Sequence, residues 1–180
     1  MPSLEVTNHL AAIGTILIEV VTVAFIALIV FRKKIPELQA QVDFIGSWAL
    51  FKGFGLALVA SAMTLYYSEI LGLLPCGLCW MQRVFLYPQV FLLGLAWWRN
   101  DRKIADYIIV LSAAGLLIAL YQHYLQMGGT DILPCPATGD HTDCAVRSVF
   151  EFGYITFPLM SASLFAYMIA FMTMLKVSRK

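Results

Sequence analysis

Charge is what this sequence has least of. Only 13% of its 180 residues are Asp, Glu, Lys or Arg, while 61% are apolar. Ordinary globular chains hold about 25% charged and ~45–50% apolar residues. Twelve basic and eleven acidic side chains cannot coat so much apolar surface in water, which excludes a soluble domain. Disorder is excluded too, because it needs low hydrophobicity and high charge. Lys and Arg are also absent from residues 1–9, so the start of the chain lacks the basic segment of a secretory signal peptide. With a mean hydropathy of +0.80, the chain reads as an integral membrane protein.

A bilayer core of ~30 Å needs about 20 apolar residues in helical form. Five runs qualify: 10–31, 48–71, 81–98, 104–127 and 154–175. They lack the period-two alternation of barrel strands, and a backbone in lipid must satisfy its own hydrogen bonds, so they read as helices. The expected fold is an all-α integral membrane protein with five transmembrane helices. Its expected parts are an N-terminal helix and a loop over 1–47, a four-helix bundle over 48–175 with a long loop at 128–153, and a tail at 176–180.

The few basic residues are segregated. Nine of the twelve fall in three clusters, at 32–34, 99–103 and 176–180. They punctuate the apolar runs rather than gathering on one surface, which argues against nucleic acid. If all five helices cross, the three clusters share one side, and the positive-inside rule makes that side the cytoplasm. The N-terminus and the loops 72–80 and 128–153 then face outward.

Two charges interrupt the apolar runs. Glu19 lies near the middle of the first, where a carboxyl is a candidate functional group. The weightier reading is a hydrogen bond between helices. Lys52 stands at the start of the second run and reads as a side chain snorkelling to the cytoplasmic boundary.

No cysteine occurs in a cytoplasmic segment or in mid-membrane; all four fall on the outward side. Cys76 and Cys79 form a Cys-x-x-Cys unit where the third span begins, and Cys135 and Cys144 lie in the long outer loop. An oxidising exterior makes two disulfides the natural expectation. Pro136 and Gly139, between the loop cysteines, can turn the chain back. The Cys-x-x-Cys sulfurs can sit at a helix N-terminus, where unpaired N–H groups favour thiolate. Arg83 follows Cys79 by four residues, one turn along the same face. A cation beside such a thiol suits redox exchange, while a staple disulfide with Arg83 gripping lipid phosphate suits the spacing equally. Zinc is disfavoured: eight residues separate the second pair instead of the usual two to four, and no His pair lies nearby.

The segment from Leu74-Pro75-Cys76-Gly77-Leu78-Cys79-Trp80 through Gln82-Arg83 resembles the signature of the bacterial disulfide-bond formation protein B (DsbB) family, including its Gram-positive BdbC-like relatives. Tyr121-Gln122-His123 resembles a segment where that family also carries a histidine. Asp143-Cys144-Ala145-Val146-Arg147 resembles the region of the last loop cysteine. The resemblance covers roughly residues 50–175. Vitamin K epoxide reductases share the chemistry and a related bundle, but their loop pair precedes the Cys-x-x-Cys. The family core has four helices, so the first span is an addition, and the loop cysteines are closer together than in the best-known members.

The resemblance implies a thiol:quinone oxidoreductase with disulfides Cys76–Cys79 and Cys135–Cys144. A soluble, DsbA-like thioredoxin-fold oxidase would attack Cys135. Cys144 would then attack Cys76, and Cys79 would pass electrons to a membrane quinone, ubiquinone or menaquinone. Arg83 and His123 are the candidate quinone-binding residues, Arg83 also stabilising the Cys79 thiolate; His123 equally reads as a packing histidine. His141 reads as solvated, and Trp80, Trp97 and Trp98 as an interfacial belt. The rival readings are a non-enzymatic scaffold with two structural disulfides, and a quinone reductase of the vitamin K type.

Overall fold

The computed structural model describes residues 4–132, 135 and 143–178. Its helices are α1 (Leu4–Phe31), α2 (Pro36–Ser47), α3 (Ala49–Leu65), α4 (Gly77–Arg99), α5 (Ile104–Gln126) and α6 (Phe157–Val177). A π-helical turn, Tyr66–Ile70, extends α3, and a two-stranded antiparallel hairpin, β1 (Phe150–Glu151) with β2 (Ile155–Thr156), precedes α6. Among the described residues, five helices are long and apolar enough to cross a membrane, α3 counting together with its π turn. The chain is a multi-pass, all-α membrane protein.

Helix α6 is the centre of the assembly, packing against α5, α1, α2 and α3, while α4 bridges α3 and α5. Its buried face carries Phe165, Met168, Phe171 and Met172, each no more than 1% exposed. The α5–α6 contact is close because Gly115 is bare. A Cβ there would lie 2.5 Å from the Phe165 ring. Small residues allow this approach between membrane helices, where packing rather than water exclusion drives association.

Residues 32–47, expected as a loop, contain α2. Pro36 supplies a preset φ at its first position and Glu37 places an acid in its first turn. The helix buries Val42 fully, and the side chain of Ser178 fills the space where a Cβ on Gly46 would stand. At 12 residues it is too short to span and was invisible to a search for long apolar runs. Nearby, Arg32 donates to the Val177 carbonyl (3.3 Å), and Arg102 donates to Ser178. Both cations therefore sit at the C-terminal end of α6, where orphan carbonyls favour positive charge.

At the opposite end, α6 starts at Phe157 rather than 154, because Phe152 and Gly153 adopt left-handed φ values of 51° and 78° and turn the chain into the hairpin. Thr156 then caps α6, its hydroxyl accepting from the Leu159 N–H at 3.4 Å. Helix α1 extends six residues beyond the expected span, to Leu4. Its Asn8 side chain accepts a buried hydrogen bond from the Tyr67 hydroxyl (3.1 Å), tying the extra helix to the end of α3.

Candidate active site

The site is built where α4 begins. Cys76 is the N-cap of α4, with extended backbone, and Cys79 lies in the first turn. The helix thus starts four residues earlier than the apolar run suggested, and both sulfurs stand at its N-terminus. They are 2.9 Å apart, a thiol–thiol contact rather than the ~2.05 Å of a bond. The Cys76–Cys79 disulfide expected from the sequence is therefore open here, both residues being thiols close enough to join. Its hydrogen bond with Cys79, and then burial, hold the Cys76 thiol above its ordinary pKa. The pair gives up one proton far more readily than two.

Helix α5 brings an amide to both sulfurs. Gln122 Nε2 lies 3.0 Å from Cys76 Sγ and 3.3 Å from Cys79 Sγ. Gln82, one turn past Leu78 on α4, donates from Nε2 to Gln122 Oε1 at 2.6 Å. Both glutamines are buried. Neither was singled out from the sequence, although both stand inside the quoted motifs.

Arg83 is buried, and its Nη2 donates to the Thr64 carbonyl on α3 at 2.9 Å. Its guanidinium also lies 5.0 Å from the Trp80 ring centre, a cation–π contact. Thr64 lies in the last turn of α3, two residues before the π turn begins at Tyr66; such turns recur at functional sites. A partly open cavity is lined by Cys76, Cys79, Arg83 and Gln126, with Leu86 and Phe157 among its apolar walls. Gln126 donates to the Val146 carbonyl (2.9 Å), but its Oε1 is buried without a partner. A buried unsatisfied acceptor costs about 1–3 kcal/mol, so the cavity suits a guest that can donate to it.

The second pair is a formed disulfide, Cys135–Cys144, with Cα atoms 5.9 Å apart. Cys144 is 1% exposed and shares an apolar cluster with Cys76, Leu78 and Leu125, with Cys79 and Cys135 packed against it. The fold thus gathers all four cysteines at one end of the bundle.

A family model described as disulfide bond formation protein DsbB matches residues 46–177. The chain belongs to the DsbB family. Disulfide bond formation protein C of Bacillus subtilis (strain 168) is 35% identical over 130 residues, covering 71% of this chain and 91% of that protein. A probable disulfide formation protein of Chlamydia pneumoniae is 31% identical over 140 residues, covering 77% of this chain and 99% of its own length. The SPbeta prophage-derived disulfide bond formation protein B of B. subtilis is 37% identical over 113 residues, or 63% of this chain and 75% of its own. No solved structure matches significantly. DsbB membership gives the chain a role in disulfide bond formation, an oxidoreductase's task. Helix α1 lies outside the DsbB match.

The other expected site residues are dispersed. His123, adjacent to Gln122, turns away from the sulfurs: its Nδ1 pairs with Thr156 Oγ1 at 2.8 Å. It is not among the residues lining the cavity and instead braces the cap of α6. Glu19 accepts from Ser163 Oγ (2.7 Å) and from the Tyr154 hydroxyl (3.4 Å), the interhelical bond expected of it. Lys52 is exposed near the start of α3. Arg147 stacks over Phe150 at 4.9 Å. His141, Pro136 and Gly139 lie outside the described residues.

Proposed function

We propose that this protein reoxidises a soluble, extracytoplasmic thioredoxin-fold thiol oxidase and sends the electrons through its two cysteine pairs to a membrane quinone. The observation that carries the proposal is the shared apolar cluster: a formed loop disulfide packs beside a dithiol at a helix N-terminus. A scaffold with two structural disulfides has no use for a cysteine pair that lines a cavity beside a buried arginine.

In this reading, the partner's thiolate attacks Cys135 Sγ, the Cys135–Cys144 bond breaks, and Cys144 leaves as thiolate. Cys144 attacks Cys76 in the oxidised Cys76–Cys79 pair, forming Cys144–Cys76 and releasing Cys79 as thiolate. Cys135, freed when the partner's second thiol resolves its mixed disulfide, attacks Cys144; the loop disulfide re-forms and Cys76 leaves as thiolate. Each exchange conserves charge and passes two electrons inward. The end point is a closed loop pair beside an open edge pair.

The cavity residues suit a quinone. Arg83 can donate to a ring carbonyl oxygen of the quinone, the orphan Gln126 Oε1 can accept from a hydroxyl of the reduced quinol, and Leu86 and Phe157 supply apolar walls. When bound, a quinone supplies a two-electron acceptor for the reduced pair. The guanidinium holds the negative charge of the Cys79 side at the low-dielectric edge of the bundle, where attraction exceeds that in water. The three basic clusters support a cytoplasmic C-terminus, an outward N-terminus and residence in a bacterial inner membrane. The test is oxidation of a purified, reduced thioredoxin-fold partner by the purified protein with added ubiquinone or menaquinone analogues. Turnover that depends on quinone and on all four cysteines is the expected result, and partner thiols that stay reduced would defeat the reading.

A further inference from the structure

The buried amide pair between α4 and α5 does more than join two helices. We infer that Gln122 is a catalytic hydrogen-bond donor that follows negative charge between Cys76 and Cys79, and that Gln82 is the positioning residue that aims it. The inference rests on the redox reading of the cysteine pair, but adds a residue that neither composition nor the cysteine pattern identifies.

Geometry supports both roles. Gln122 Nε2 is within 3.3 Å of both sulfurs, and the sulfurs are 2.9 Å from each other. The three atoms form a compact triangle, so one N–H group serves either sulfur without a change of rotamer. The other end of the amide also faces Cys79, whose thiol reaches Gln122 Oε1 at 3.8 Å. Gln122 can therefore accept weakly from a Cys79 thiol and donate to a thiolate, favouring the charged form. Orientation matters, because an amide rotated by half a turn would aim its oxygen at both sulfurs and repel that charge. Gln82 opposes the rotation, because turning Gln122 alone would set two amide NH2 groups face to face where Gln82 now donates to Gln122 Oε1 at 2.6 Å. Gln122 is 1% exposed and Gln82 6%, so water does not substitute for either. Backbone N–H groups at the start of α4 are fixed to the helix axis, whereas this donor comes from a second helix and lies across the pair.

The experiment reads Cys79 alone and needs neither quinone nor partner. The full-length protein, purified in detergent and fully reduced, is pulsed with iodoacetamide across a pH series. Peptide mass spectrometry then gives the Cys79 alkylation rate. For Gln122→Met, the midpoint of the rate–pH curve should move up by about one pH unit, with an about tenfold slower reaction below it. Gln82→Met should move it the same way but less, and Gln122→Glu, which puts an acid beside the sulfurs, should move it furthest. Gln122→Asn keeps a buried amide but withdraws it by one methylene; it should reproduce the upward movement and answers the question if the Met variant does not insert. A purely packing role predicts a different signature: a higher plateau rate from a looser cavity with the midpoint unmoved. That result in Gln122→Met or Gln122→Asn overturns the inference. Failure of partner oxidation by the unmutated protein would strike the redox reading and leave the alkylation midpoints intact.

Discussion

Arg83 on α4 donates to the carbonyl of Thr64 on α3 across 2.9 Å, at the point where α3 gives way to its π turn. The bond fixes the guanidinium at the wall of the cavity that Cys79 also lines. It also explains how a buried arginine is tolerated: it has a backbone acceptor on one side and the Trp80 ring on the other.

Arg83→Met should keep the apolar stem and remove the charge. The Thr64 carbonyl retains the Ser68 hydroxyl as a donor at 3.2 Å, so helix α3 should survive the change. Steady-state quinone reduction should slow by up to about 10²–10³ if the guanidinium acts directly on developing charge. Arg83→Lys should fall between, because Lys keeps charge but loses the planar donor fork. Unchanged kinetics with intact loop disulfide would return Arg83 to a purely structural place.

Cys144 and Cys76, the two sulfurs that exchange in the proposed relay, share one apolar cluster. Cys144→Ser should trap the soluble partner on Cys135 as a persistent mixed disulfide, visible on non-reducing gels, since the thiol that continues the relay is gone. Cys79→Ser should abolish turnover while the Cys135–Cys144 bond still forms. Full partner oxidation by a Cys135→Ser variant would reverse the assignment of the entry cysteine.

The spans were legible because a bilayer leaves long apolar helices few alternatives, and the cysteines because their chemistry is rare. Helix α2 was not: it is 12 residues long, polar along much of its length, and held through Gly46 against Ser178, a residue remote in sequence. Gln122 was not, because a glutamine in an apolar run looks the same whether it bonds a helix or a sulfur. Only the packing of α5 on α4 brings it to residues more than 40 positions away. His123 shows the converse. A histidine drew notice by its type, yet the register of α5 gives the sulfurs to Gln122 and aims its neighbour at Thr156.

Topology is open to a direct check. The cluster at 32–34 sits at the end that also carries Arg102 and Lys176, while the cysteines occupy the other end. Reporter fusions within residues 36–42 should read cytoplasmic, and an insertion at Thr130 should read extracytoplasmic. The reverse pattern would put all four cysteines in a reducing compartment and end the oxidase reading.

Glu19 separates a structural carboxylate from a functional one. It accepts from Ser163 at 2.7 Å, and Ser163 already has a second acceptor in the Leu159 carbonyl of its own helix at 2.9 Å. Replacing Glu19 by Leu therefore strands no buried donor on α6. Interhelical side-chain bonds in membrane proteins average about 0.6 kcal/mol in double-mutant cycles. A cycle of Glu19→Leu with Ser163→Ala, followed by unfolding in mixed detergent, should return a coupling of that order. Glu19→Gln, which keeps an acceptor oxygen, should lose less. Thiol oxidation by all three single variants should stay within about twofold of the parent protein, since the carboxyl is tied to α6 and Tyr154 and does not line the cysteine cavity. A turnover loss of tenfold or more in Glu19→Gln, with coupling energy unchanged, would instead make this carboxyl part of the proton path.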